Sequence, residues 1–255
     1  MSQQFAWTIL QPGRLPLRPD GSVRQAIGPR CTTTLVWPAD RAPGADNTLV
    51  VDPCFTEEGY AQATQALEQR GMTFEDIGYI FVTHLHTDHM LHWPDGARPV
   101  AFRPFRPVTR PAVFAAIEAQ PCPGHHPSQQ ALHFEDAAGR RVWIAGDAVL
   151  NEEWLREWAY FWPNGYGPHQ IVEHWRSIAH VIAAADIIVP GHDDALPVTR
   201  ELVSHLLETF PKADYASHCP DVAAALRARL ARFEQQDPPS SAGPHYGPCF
   251  QTSLF

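Results

Sequence analysis

The chemistry of this chain is concentrated in six consecutive residues, His84-Leu85-His86-Thr87-Asp88-His89. They follow an apolar run, Tyr79-Ile80-Phe81-Val82, that reads as a buried strand entering the loop at Thr83. A loop leaving a strand end can aim alternate side chains at one point. His84 and His86 can therefore share one metal ion, while Asp88 and His89 turn towards a neighbouring one. A nitrogen and oxygen donor set without thiolate suits zinc and leaves coordination positions open for water. A lone histidine in such a loop would ordinarily be a surface residue. Three with an aspartate in six positions are poorly explained that way.

The pattern His84-x-His86-x-Asp88-His89 resembles the signature of the metallo-β-lactamase superfamily, and further elements resembling that family follow in order. Asp52, closing an apolar run, resembles the family's structural aspartate. Pro123-Gly124-His125-His126, Ala145-Gly146-Asp147 and Val189-Pro190-Gly191-His192-Asp193 resemble its later metal-binding elements. The resemblance implies that His84, His86 and His125 hold a first metal and that Asp88, His89 and His192 hold a second. Asp147 would bridge the two beside a shared water or hydroxide, and Asp88 and Asp147 would be the carboxylates serving catalysis. The family pattern puts the ligand directly after Pro-Gly, which selects His125. His126 would then be a loop residue or a pocket wall. Asp52, Thr83 and Asp193 are expected behind the ligands, because metal-bound histidines usually donate their second N–H to a partner. The implied cofactors are two divalent ions, zinc before iron or manganese. Two such ions about 3.5–4 Å apart generate a nucleophile from water at neutral pH and polarise the substrate oxygen. No serine or cysteine nucleophile is then needed, and there is no Gly-x-Ser-x-Gly elbow.

The same resemblance narrows the reaction. True β-lactamases place Cys or Ser where this chain has Asp147, so β-lactam hydrolysis is not the expected main activity. A bridging aspartate is shared by thioesterases resembling glyoxalase II, by lactonases and by phosphodiesterases. The roughly sixty residues after His192 leave little room for a helical glutathione-binding domain. Size and the Gly191-His192-Asp193 element resemble acyl-homoserine lactone lactonases, although the tyrosine those enzymes carry just after the bridging aspartate is missing from Asp147-Ala-Val-Leu-Asn-Glu-Glu-Trp154. The expectation is a dinuclear metal-dependent hydrolase that cleaves a carboxylic ester, lactone or thioester. A phosphodiesterase of the same fold and a diiron redox enzyme are the alternatives. The aromatic stretch 154–162 is either core or the apolar wall of a substrate pocket.

These residues need elements to hold them. Residues 32–37, 48–51, 79–82, 131–134, 141–145 and 187–189 read as strands, and the turn at 136–139 as a hairpin. Helices are expected over 58–70, 169–185 and 221–235, the last capped by Asp221. This order mixes hairpins with strand–helix–strand steps and predicts a mixed sheet covered by helices. The resemblance implies a single-domain α+β, four-layer αββα fold over residues 1–236. Residues 237–255, rich in Pro, Gly and Ser, would form a tail packed on it. His92 and His133 read as packing or surface histidines, and His169, His174, His180, His205, His218 and His245 receive no role.

Composition supports a packed globule: 44% of the 255 residues are hydrophobic, with eight Trp and thirteen Phe. A formal charge of −9 without any basic run disfavours nucleic acid as a partner. Five scattered cysteines without C-x-x-C spacing fit neither a disulfide framework nor a thiolate zinc site, and suggest the cytoplasm. No secretory leader or membrane span is read. The expected partner is a small-molecule substrate, with no nucleic acid and no membrane, acting on a monomer or homodimer.

Overall fold

Ten strands and five helices alternate along the chain in the computed structural model, which describes residues 3–24 and 28–236. The expected tail 237–255 lies outside the described residues. The first half supplies β1 (Phe5–Gln11), β2 (Thr33–Pro38), β3 (Leu49–Val51), α1 (Glu57–Glu68), β4 (Tyr79–Phe81) and β5 (Arg103–Pro104). The second supplies β6 (Glu118–Pro121), β7 (Gln130–Glu135), β8 (Arg141–Gly146), α2 (Glu152–Arg156), α3 (Pro168–Ala184), β9 (Ile187–Pro190), β10 (Leu196–Pro197), α4 (Arg200–Thr209) and α5 (Pro220–Gln236).

These strands form two five-stranded sheets, ordered β1-β2-β3-β4-β5 and β10-β9-β8-β7-β6, rather than one mixed sheet. The alternation of side chains along each strand explains the layering. Leu49 and Val51 enter the core between the sheets, while Val50 faces outward onto Leu67 and Ala63 of α1. Val142, Ile144, Ile187 and Val189 likewise enter the middle layer, while Trp143, Ala145 and Ile188 pack outward beneath Trp175, Ile178 and Ile182 of α3. Both faces of the central strands are covered, so they read as continuous apolar runs. The result is the αββα sandwich.

The predicted strands correspond to β2, β3, β4, β7, β8 and β9 within a few residues. The hairpin is present as well: Asp136 Oδ1 accepts the backbone N–H groups of Ala138 and Arg140 at 2.9 Å each. Asp221 does not cap the last helix. α5 begins one residue earlier, at Pro220, whose missing N–H costs nothing in a first turn. Asp221 instead lies in that turn and pairs with Arg176, 2.9 Å away.

Two parallel strand pairs matter for function. β3 and β4 pair in parallel in the first sheet, and β8 and β9 do so in the second. Asp52, Asp147 and Gly191-His192 immediately follow one of these four strands, and Thr83-His84 follow β4 after Val82. Their C-terminal ends meet at one edge of the sandwich, stitched by backbone bonds such as Thr32 N–H to Gly191 O at 2.7 Å and Gln130 N–H to Thr83 O at 2.9 Å.

Candidate metal centre

Two groups of potential ligands lie at that edge. His84, His86, His125 and Asp147 present donor atoms that all fall within 4.8 Å of one another, and so do Asp88, His89 and His192. The expected site residues are thus brought together from both sheets. His126 is adjacent, its ring 4.9 Å from that of His86, but its Nδ1 accepts the Ser128 backbone N–H at 3.1 Å and lies 2.8 Å from the Ser128 hydroxyl.

The hydrogen bonds behind the rings fix which nitrogen faces the site. Asp52 sits in left-handed backbone conformation (φ 50°), accessible to Asp at modest cost. Its Oδ1 accepts the Thr83 backbone N–H at 2.7 Å, and its Oδ2 accepts the Thr83 hydroxyl at 2.7 Å and faces His89 Nδ1 at 2.8 Å. Thr83, having donated its proton, can only accept from His84 Nδ1, 3.2 Å away. His192 Nδ1 donates to the carbonyl of Arg30 at 2.9 Å. In each case Nδ1 carries a hydrogen, and Nε2 is the nitrogen aimed inward. Asp52 and Thr83 thus stand where the sequence placed them. Asp193 does not: its carboxylate accepts the backbone N–H groups of Glu152 (3.3 Å) and Asp194 (2.9 Å), because the turn after His192 swings it towards α2. The backing of His192 comes instead from a main-chain carbonyl 162 positions away, which no local pattern announces.

Asp147 lies at the centre of both groups. Its Oδ2 is 3.1 Å from His125 Nε2 and 3.7 Å from His84 Nε2, while its Oδ1 is 3.1 Å from His89 Nε2 and 3.3 Å from His192 Nε2. Each oxygen addresses one group. Two glycines make this approach possible. A Cβ on Gly191 would sit 1.9 Å from Asp147 Oδ1, and one on Gly146 (φ +51°) would sit 2.4 Å from Thr83 Oγ1.

The residues fit a pair of divalent ions. His89 Nε2 and Asp147 Oδ1 are buried 3.1 Å apart without hydrogen-bond geometry, a close approach that a shared cation would satisfy. His86 Nδ1 is 3.0 Å from His84 Nε2 and 2.9 Å from His125 Nε2. Imidazoles converging nitrogen to nitrogen suit a tetrahedral ion, whose ligand atoms stand about 3.3 Å apart. The electrostatics agree. Burial pushes the His84 pKa down to about 2, so its ring is neutral. Burial also opposes charge on His89, but Asp147 and Asp52 outweigh it and hold that ring's pKa well above the usual value. Asp147 is driven the other way: burial would raise it, and the surrounding His192, His89 and His125 hold it ionised. Against burial, the Asp147 carboxylate also raises the pKa of His192, so a divalent ion would take the place of the protons on His89 and His192.

The ligand atoms floor a cleft of about 330 Å³. Leu15, Pro29, Leu85, Leu150 and Phe161 form its apolar walls, and among the described residues its lining contains neither Lys nor Arg. Trp154 and Trp158 are buried in the core, so the aromatic stretch divides, with Phe161 alone among its aromatic residues reaching the cleft.

Residues 28–107 match the model of the metallo-beta-lactamase superfamily. That segment holds the 84–89 loop, while His125, Asp147 and His192 come from the second half of the chain. Among solved structures, one similar to this chain is a putative metallo-beta-lactamase from Thermotoga maritima, at 16% identity, covering 76% of this chain and 99% of that one with a TM-score of 0.49. A metallo-beta-lactamase family protein from Thermus thermophilus is similar at 16% identity over 90% and 80%, TM-score 0.47. An N-acyl homoserine lactone hydrolase, solved with N-hexanoyl-L-homoserine at its catalytic metal centre, is similar at 17% identity over 76% and 94%, TM-score 0.46. No curated protein matches the sequence. Over residues 28–107 the chain is similar to the metallo-beta-lactamase superfamily, a class composed mostly of hydrolases. That match and the two ligand groups support a metal-dependent hydrolase.

Proposed function

We propose that this protein is a dinuclear metallohydrolase acting on a neutral carboxylic ester, lactone or thioester. The observation carrying this reading is the cleft itself, in which ligand atoms face apolar walls without a cationic side chain among the described residues. A phosphodiester would bring a charge for which the walls offer no Lys or Arg partner. An uncharged acyl compound asks only for an apolar shelf and a polarised carbonyl.

His84, His86 and His125 would hold the first metal and Asp88, His89 and His192 the second, with Asp147 between the two groups. Two bound divalent ions, zinc foremost, lower the pKa of water and polarise the carbonyl oxygen. Leu15, Pro29, Leu85, Leu150 and Phe161 bind the acyl portion and exclude bulk water. Asp88, whose side chain is 26% exposed, stands at the rim of the cleft with Oδ2 3.6 Å from His192 Nε2, as a carboxylate ligand would. Asp147, almost fully buried, positions and does not exchange protons. The free cysteines Cys31, Cys54, Cys122 and Cys219 support a reducing, cytoplasmic setting. Among the described residues, no helix is long and apolar enough to cross a membrane.

The test is elemental analysis of the purified protein, then a panel of neutral esters, lactones, thioesters and phosphodiesters. Close to two metals per chain and turnover of acyl substrates is the expected result. Less than half an equivalent after metal-replete expression would overturn the dinuclear reading. Phosphodiester turnover without acyl turnover would overturn the substrate class. Asp147→Asn, which keeps shape but loses one anionic oxygen, should release the second metal and retain the first.

A further inference from the structure

Three of the inward-facing histidines have partners that can only accept: the Asp52 carboxylate behind His89, the Arg30 carbonyl behind His192, and a Thr83 hydroxyl already committed as donor behind His84. His125 differs. Its Nδ1 lies 2.9 Å from the hydroxyl of Tyr166, which stands just ahead of α3. A phenol both donates and accepts, so by itself it leaves the His125 tautomer undecided. If Tyr166 donated to Nδ1, the ring hydrogen would sit on Nε2 and point at Asp147 Oδ2, 3.1 Å away, blocking that nitrogen as a ligand.

We infer that Tyr166, backed by Asn164, is the positioning residue that sets His125 for metal binding. This rests on the reading of His125 as a ligand of the first metal. Asn164 Nδ2 lies 2.6 Å from Tyr166 Oη, and an amide nitrogen can only donate. It occupies one lone pair of the phenol. The other accepts Nδ1–H of His125, and Nε2 is left bare beside His86 Nδ1. Asn164 also lines the cleft, so the relay runs from the cleft wall through Tyr166 to a ligand. The bend that places Asn164 against Tyr166 is made at Gly165, in left-handed conformation (φ +67°). No sequence pattern signals the contact, since 41 positions separate Tyr166 from His125.

Tyr166→Phe removes the hydroxyl and keeps the ring that packs near Tyr160 (6.0 Å between centroids). A packing role alone would leave metal binding unchanged. The experiment is chelator competition on wild-type and variant protein, with long-range ¹H–¹⁵N spectra reporting the His125 tautomer. The wild type should hold two metals with His125 protonated at Nδ1. Tyr166→Phe should weaken one site about 10–100-fold, leave the other within twofold and alter the His125 nitrogen shifts. A folded Tyr166→Phe protein with both affinities and the tautomer unchanged overturns the inference. Should that variant not fold, Asn164→Ala keeps the phenol and loses only its second donor. Weakened binding at one site then supports the relay, and unchanged binding overturns it. A wild-type protein that binds no metal instead overturns the dinuclear reading on which the relay stands.

Discussion

Gly191→Ala tests the central geometry without removing any ligand. The added Cβ would stand 1.9 Å from Asp147 Oδ1 and 3.0 Å from the carbonyl carbon of Gly146. The backbone at Gly146 is held by β8 pairing with Pro190, so it cannot yield easily. The carboxylate must therefore retreat by about 1 Å, a displacement that in active sites costs on the order of 100-fold in rate. The oxygen displaced is the one facing His89 and His192, at 3.1 and 3.3 Å, so the loss should fall on the second metal group. His84, His86 and Asp147 Oδ2 are not among the three atoms nearest the new methyl. Overpacking of this kind also costs about 1–3 kcal/mol in stability, or roughly 3–10 °C in Tm for a chain of this size. The assay is metal stoichiometry by elemental analysis, turnover on the best acyl substrate and a melting curve. Gly44→Ala, where nothing lies within 4 Å of the added Cβ, is the matched control. If Gly191→Ala keeps two metals and turns over within threefold of wild type, the carboxylate does not bridge and the two-group reading fails.

Other expectations follow from single contacts. Asp52→Asn turns an acceptor into a donor facing the Thr83 hydroxyl and His89 Nδ1–H, so His89 should reverse its tautomer and the second metal should bind about 10–100-fold more weakly, as chelator competition would show. Stripping metal from the wild type leaves the buried imidazoles and Asp147 without their cations, and Tm should fall by about 5–10 °C if ligand stood near a hundredfold its Kd; an unchanged melting curve in chelator would count against a bound metal. Away from the site, burial tends to raise the carboxyl pKa of Asp186, but bonds from Arg141 and Arg229 outweigh it and hold the group below the ordinary carboxylate range. A depressed folded-state pKa adds stability above the unfolded value near 4, and that contribution fades as pH falls through the folded value. Asp186→Asn should therefore cost about 1 kcal/mol at pH 7, modest because the carboxylate is one-third exposed, and the two proteins should converge on acidification in denaturant titrations.

What the sequence revealed, and what it hid, follows the range of the interactions. The 84–89 loop is legible because four donors fall within six residues and an apolar strand precedes them, so chemistry and pattern coincide within about ten residues. The central strands are legible for the same reason: Val50 packs on a helix while Leu49 and Val51 pack on the opposite sheet, which forces an unbroken apolar run. Edge elements escaped the reading. β6 is Glu-Ala-Gln-Pro with two exposed ends, and β10 is two residues long; neither carries a hydrophobic signature, since each is defined by the neighbour it pairs with. α4 does carry a local signal: Thr199 caps it, and Leu202, Val203 and Leu206 share a buried face.

The deeper gap concerns tautomers. Sequence can propose that a histidine is a ligand, but only the fold decides which nitrogen is free. For His84 and His89 the answer comes through Thr83 and Asp52, near enough in pattern to be anticipated. For His192 it comes through a carbonyl whose side-chain identity is irrelevant, so no residue type could have announced it. For His125 it comes through a phenol that accepts reliably only because Asn164 has claimed its other lone pair. A chain could therefore preserve all seven donors and still present His125 with the wrong nitrogen. The completeness of the centre is settled by contacts 41 and 162 positions apart as much as by the ligands themselves.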